Sequence, residues 1–356
     1  MAKEKKSALK EGKGVSVSEI TNLSRIKTIK EKRKSKINTE ALVASILNKN
    51  ITALSRAITL VESKNLTHLE QANTIIKACL PHANKSIRIG ITGVPGVGKS
   101  TFIETLGKHL TSKGKRIAIL AIDPSSTLTK GSILGDKTRM EDLVKDANAY
   151  IRPSASGDSL GGVARKTRET IILCEAAGFD VIIIETVGVG QSETTVHSMV
   201  DFFLLLKLAG AGDELQGIKR GIIEMADAIA INKADGDNLK RAKLAKVEFN
   251  RALHLYPEKS FNWHPKVTIC SALKNEGIDA IWELILEYVA ITSKNNYFYE
   301  KRNEQNKFWL IQTIEEQLKS DFFNTPKIKK ELENQLQLIE TNQTTPFAAA
   351  DYLLKI

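Results

Sequence analysis

Between residues 38 and 81, apolar side chains recur three and four positions apart: Leu42, Ile46 and Leu47, then Leu54, Ile58 and Leu60, then Leu69, Ile75, Ile76 and Leu80. Such spacing gathers them on one face of a 3.6-residue turn, and it predicts two or three helices. From Ser86 the pattern changes. Short runs at 87–91, 117–122, 181–185, 202–207, 228–232 and 267–270 are apolar at nearly every position, and longer amphipathic segments separate them. Runs apolar on both faces are what buried parallel strands require, with helices covering both sides of the sheet. The alternation closes near Asn295. Beyond it, 308–318 and 328–339 are amphipathic and helical, and TPFAAADYLL at 345–354 predicts a short last helix. The reading is an α/β fold, a mostly parallel sheet flanked by helices. It divides into a tail at 1–37, a helical region at 38–84, a nucleotide domain at 85–295 and a C-terminal helical arm at 296–356.

The joint after the first strand carries the strongest chemistry. Residues 93–100 read GVPGVGKS, a complete G-x-x-x-x-G-K-S phosphate loop with a strand before it and a helix after it. Glycines at 93, 96 and 98 let the backbone wrap an anion, and successive N–H groups then face phosphate oxygens at a helix N-terminus. Gly93, Val94, Pro95, Gly96, Val97, Gly98, Lys99, Ser100 and Thr101 are the expected phosphate contacts, with Lys99 reaching the β- and γ-phosphates and the Ser100 hydroxyl on Mg²⁺.

Two more segments complete a nucleotide site. Asn232-Lys233-Ala234-Asp235 follows the run at 228–231. A carboxylate there accepts from guanine N1–H and its exocyclic amine, donors that adenine lacks, so a buried Asp235 penalises ATP. The competing reading of Asp235 is an ordinary helix N-cap. Ser271, Ala272 and Leu273 follow the last strand and are placed against the guanine oxygen. Acids end strands at Asp123 and Glu185, and Asp136 lies in the segment 131–140 between them. With Ser100 they form a candidate Mg²⁺ and water-activating set, since carboxylates at strand C-termini face the ligand crevice. Gly188 closes the segment Glu-Thr-Val-Gly.

Charge changes little of this picture. The chain has 356 residues and a net charge of +11, but residues 1–36 hold 12 Lys/Arg against 4 Asp/Glu, so the remainder is close to neutral. A Lys-, Glu- and Ser-rich stretch of this kind is expected to be a disordered tail, and the near-neutral remainder argues against nucleic acid. No apolar run approaches the roughly 18 residues of a membrane span, and the tail lacks the apolar core of a targeting segment. Three cysteines, Cys79, Cys174 and Cys270, lie far apart, which suits a reducing compartment and a cytoplasmic chain.

The stretches ITGVPGVGKSTFIE, AIDPSSTLTKGSILGDKTRM, IETVGVGQSE, AGAGDELQGIKRGIIEMADAIAINKAD and TPFAAADYLL together resemble the MeaB/ArgK family of MMAA-like GTPases. The likeness runs from about residue 40 to the C-terminus. It implies a SIMIBI-class P-loop GTPase that binds GTP, GDP and Mg²⁺ and forms a homodimer. It also implies a chaperone that gates adenosylcobalamin delivery to methylmalonyl-CoA mutase and protects that enzyme, with the cobalamin carried by the mutase. The resemblance places Lys99, Asp136 and Glu185 in the catalytic set, and Lys219, in a mobile loop at 211–219, as a charge stabiliser. Ala209 departs from the family's usual Pro. Two rivals remain: a metal-insertion GTPase, which needs Cys/His ligands beyond the pair Cys79 and His82, and an amino-acid transport kinase, which needs ATP.

Overall fold

Three asparagines start the first three helices. In the computed structural model, which describes residues 38–63, 65–122, 140–153, 160–186, 192–210, 220–254 and 261–356, the Asn38 side chain accepts from the Ala41 N–H at the head of α1 (Thr39–Leu47). Asn50 accepts from Ala53 in α2 (Ile51–Glu62), and Asn65 from Thr67 in α3 (Leu66–Cys79). Each cap satisfies a helix N–H that has no partner within the helix, a contribution of about 1 kcal/mol. The tail and the sites proposed at Asp123, Asp136, Gly188 and Lys219 lie outside the described residues.

The strands are β1 (Ile87–Gly93), β2 (Ile117–Ile122), β3 (Ala149–Arg152), β4 (Val181–Thr186), β5 (Phe202–Leu208), β6 (Ala228–Asn232) and β7 (Lys266–Ile269). They form one sheet of order β3-β2-β4-β1-β5-β6-β7, parallel at every pairing. Ile89 of β1, for example, sits between Ile183 of β4 and Phe202 of β5. The intervening helices are α4 (Lys99–Ser112), α5 (Leu160–Ala176), α6 (Ser192–His197), α7 (Arg220–Met225), α8 (Asn238–Leu253) and α9 (Ile278–Lys294). The arm follows as α10 (Tyr297–Asn324), α11 (Pro326–Glu340) and α12 (Pro346–Leu354).

Period two along the strands divides the core. Ala118, Leu120, Ile122, Ile182, Ile184 and Phe203 pack on one face beneath α1–α3 and α5. Their neighbours Ile117, Ile119, Val181, Ile183, Phe202 and Leu204 pack on the other face beneath α4 and α9. Five of the apolar runs of the sequence are strands covered on both sides, as expected; the sixth, β7, is an edge strand with Lys266 exposed and Thr268 and Ile269 half-buried. The unexpected strand is β3: it is four residues long, pairs only with β2, and offers Ala-Tyr-Ile-Arg, too short and mixed a run to stand out. All three cysteines are free and buried, and among the described residues no helix is long and apolar enough to cross a membrane.

The helix expected at 308–318 is the middle of a 28-residue one. Its first turns are buried: Arg302 donates to both Asp201 oxygens (2.6 and 2.7 Å), to Ser86 O (2.7 Å) and to Asn84 O (3.0 Å). Asp201 also accepts from the Arg88 N–H (2.8 Å), and the Arg88 guanidinium pairs with Glu175 of α5 through two 2.9 Å bonds. Two buried ion pairs thus join β1, β5, α5 and α10 at the end of the sheet where β1 begins. Beyond Trp309 the same helix exposes Leu310, Ile311, Ile314, Leu318 and Phe323.

Candidate nucleotide site

With every strand parallel, the strand C-termini share one edge, and a crevice opens where the chain leaves β1 in one direction and later resumes on its other side at β5. The phosphate loop leaves β1 there. A Cβ on Gly93 would lie 2.6 Å from the Leu206 carbonyl oxygen, and one on Gly98 would lie 2.9 Å from the Asn232 side-chain nitrogen. Gly98 also takes the left-handed φ of +91° immediately before α4, where a side chain costs about 1 kcal/mol or more. Lys99 opens the helix, and its buried ammonium donates to Gly93 O (2.7 Å) and Val94 O (3.3 Å). It lies across the concave side of the loop. Ser100 follows, its hydroxyl 3.5 Å from the Glu185 carboxylate at the end of β4. The Thr186 hydroxyl donates to the Thr92 hydroxyl (2.9 Å), both buried, and so fixes the end of β4 against the end of β1.

The segment expected to read the base, Asn232 to Asp235, is tied to this loop by side chains. Asn232, 1% exposed, donates from Nδ2 to Val97 O (2.9 Å) and accepts at Oδ1 from the Ala272 N–H (3.1 Å). One amide therefore joins the phosphate loop, β6 and the turn after β7. Lys233 takes a left-handed φ of +57°, and its ammonium reaches back to Gly96 O (2.8 Å). Asp235 accepts from the Ser271 hydroxyl at Oδ2, and its Oδ1 takes no bond among the described residues. The N-cap reading of Asp235 fails, because α8 starts at Asn238 after Asp237. Ala272 O accepts from Thr105 Oγ1 of α4 (2.9 Å), and Leu273 beside it is 78% exposed. Burial pushes the Cys270 thiol up to about 12, so it stays a protonated, packed side chain whose S–H lies 3.6 Å from Asn232 Oδ1.

Gly93 to Thr101, Glu185, Asn232 to Asp235 and Ser271 to Leu273 thus come together from four strand ends. Sequence reasoning missed Thr92, Thr186 and Thr105. Thr92 and Thr186 lie within the quoted motifs at positions those motifs assign no role, and Thr105, on α4, is marked only by its contact with a turn 167 residues away. Among the described residues no three His, Cys, Asp or Glu side chains gather into a metal-holding cluster; of the proposed acidic set, Glu185 is the member within them.

Comparison with known proteins agrees with this geometry. The family described as "Methylmalonyl Co-A mutase-associated GTPase MeaB" matches residues 54–327. The chain is 44% identical over 293 residues to "GTPase ArgK" of Escherichia coli, covering 82% of this chain and 88% of that protein. It is 43% identical over 326 residues to the mouse "Methylmalonic aciduria type A homolog, mitochondrial", covering 89% and 79%. A crystal structure titled "LAO/AO transport system kinase" superposes with a TM-score of 0.73 at 35% identity, covering 90% of this chain and 99% of that one. The chain belongs to the MeaB family of methylmalonyl-CoA mutase-associated GTPases, and it is a P-loop GTP hydrolase.

Proposed function

We propose that the chain is the GTP-driven chaperone of a cobalamin-dependent acyl-CoA mutase, methylmalonyl-CoA mutase in the first instance, and that its nucleotide state gates adenosylcobalamin delivery to that enzyme. The observation that carries this reading is the mutase-associated family match spanning 54–327. Geometry adds that the described nucleotide site holds no second set of reacting side chains for another substrate. Its product is then a conformational state that another protein reads. Transport-kinase chemistry is disfavoured by the Asp235 carboxylate, which adenine leaves unpaired.

GTP hydrolysis here is positioning and charge stabilisation more than covalent chemistry. Lys99 exchanges its bonds to Gly93 O and Val94 O for phosphate oxygens, and the N–H groups of the loop at the head of α4 hold the β-phosphate. Ser100 and Glu185 present hydroxyl and carboxylate oxygens 3.5 Å apart, a hard donor pair that suits Mg²⁺, directly or through water. When bound, Mg²⁺ supplies charge neutralisation between the phosphates. Asp123 and Asp136 are proposed as further members of that set, Gly188 as a γ-phosphate contact and Lys219 as the charge stabiliser engaged when the mutase docks.

The test is GTP turnover by the purified protein with and without the mutase of the same organism. Stimulation of about tenfold or more, a coupling near 1.4 kcal/mol, is expected, and Lys219→Ala should abolish it. Absence of both a complex and stimulation at micromolar concentrations would overturn the chaperone reading and leave the GTPase.

A further inference from the structure

At the opposite edge of the sheet, where β1 begins, a cavity of about 60 Å³ is lined by Leu80, Asn84, Arg88, Arg168, Ile171, Ile172, Met199 and Asn306. Its polar lining is one-sided. Arg88 spends Nε and Nη2 on Glu175 and Asn84, and Nη1 has no acceptor among the described residues. Arg168 donates from Nη2 to Asn306 Oδ1 (2.7 Å), and from Nη1, at 3.3 and 3.4 Å, to Ser198 O and Gln305 O. Its Nε has no acceptor among the described residues. Both asparagine oxygens, Asn84 Oδ1 and Asn306 Oδ1, are taken by the arginines, so what each amide has left to offer is its NH₂ group. Four donor groups therefore share one small cavity, and its side-chain acceptors are already used.

Charge runs the same way. Arg88 is matched by Glu175 and Arg302 by Asp201, whereas Arg168 makes no ion pair among the described residues and lies over the Trp309 ring at 5.2 Å. Burial, and secondarily the Arg88 charge, pulls the Arg168 guanidinium down to about 9. A partly buried cation with only carbonyl and amide oxygens for partners is costly, and an anion relieves that cost. At roughly 10–15 Å³ per water, the cavity of about 60 Å³ has room for about four to six waters, enough for a five-atom tetrahedral ion.

We infer that this cavity is a binding site for a phosphate-class oxyanion, held by Arg168, Arg88 Nη1, Asn84 and Asn306, distinct from the phosphate loop and on the far edge of the sheet. Asn84 and Asn306 are exposed, so the ion reaches the site from solvent. The ion closes α5 onto α10 by bridging donors from both helices.

The experiment uses the full chain saturated with GDP and Mg²⁺, so that the phosphate loop is filled, and follows thermal unfolding in inorganic phosphate against sodium chloride of equal ionic strength. Millimolar affinity gives a rise in Tm of about 2 °C or more at 50 mM phosphate. Arg168→Gln should lose the rise. Should that variant fold poorly, Asn306→Asp serves instead: it keeps the acceptor for Arg168, supplies a fixed carboxylate, and should raise Tm in chloride while removing the response to phosphate. Glycerol 3-phosphate is the second arm. A response to both probes assigns the site to phosphate groups in general, and a response to inorganic phosphate alone assigns it to the free ion. No response in the wild-type protein, or a rise in Arg168→Gln and Asn306→Asp as large as that of the wild type, overturns the inference.

Discussion

Asp235 and Glu185 are the residues at which the site can be tested most sharply. Asp235 is anchored by Ser271 through one oxygen and its other oxygen takes no bond among the described residues; if that oxygen reads guanine as proposed, Asp235→Asn replaces an acceptor by a donor. GTP affinity should fall by about two orders of magnitude, since a donor facing a donor at this half-buried position, closed off by the bound base, costs about 1–3 kcal/mol on each side. Xanthosine triphosphate, which carries a carbonyl where guanine has its amine, should become the better substrate. Competition binding with the two nucleotides checks this, and unchanged preference for GTP would remove Asp235 from the base site. Glu185→Gln keeps the shape but removes the charge beside Ser100. Turnover should drop about 10²-fold, as for loss of one preorganised charge interaction, with GDP affinity within a few-fold of wild type. Both residues were legible in the sequence because each follows or ends an apolar run. Asn232's double role was not, since its partners Val97 and Ala272 lie 135 and 40 residues away.

At the scale of elements, the two buried ion pairs decide how the arm joins the sheet. Arg302 is 6% and Asp201 1% exposed. Arg302→Met leaves the Asp201 carboxylate buried, with its remaining bonds unable to neutralise it. The expected loss is about 3–5 kcal/mol of stability by denaturant unfolding. Lys266 and Glu287 form an exposed pair at 2.6 Å, and Glu287→Gln should cost under about 1 kcal/mol because solvent already screens it. Equal effects from the two variants would show that burial is not what gives the Arg302 pair its weight. Nothing in the periodicity of 297–305 announced this contact. The segment opens on Tyr297, Phe298 and Tyr299 and runs on through charged and polar residues, and only the fold sets Arg302 against the start of β5.

At the scale of the molecule, the outer half of the arm is the unmatched feature. Leu310, Ile311, Ile314, Leu318 and Phe323 of α10, Leu336 of α11, and Phe347 and Leu354 of α12 are all exposed, and large apolar side chains left open along an arm are what a partner covers. A homodimer formed through these helices is the expected state. Because Arg302, Gln305 and Trp309 hold the domain itself, the informative truncation falls after Thr313. That protein should be monomeric by light scattering and still bind GDP. A dimer of unchanged mass would place the interface elsewhere.

Sequence alone determined the pieces that depend on local chemistry. Six of the strands were visible as apolar runs, which burial on both faces requires of all but the edge strand β7. The phosphate loop was visible because wrapping an anion demands glycine at fixed spacing, and Asn232 to Asp235 stood out because a carboxylate just past a strand end is what reading guanine would demand. Tertiary structure decided what depends on partners distant in the chain. It paired the short edge strand β3, whose four residues gain stability only beside β2. It set the Thr186 hydroxyl against the Thr92 hydroxyl and the Thr105 hydroxyl against the Ala272 carbonyl, contacts with no periodic signature. It also brought Arg88 and Arg168 into one cavity, because the start of β1 and the middle of α5 meet only when the sheet has formed and α5 has packed across it.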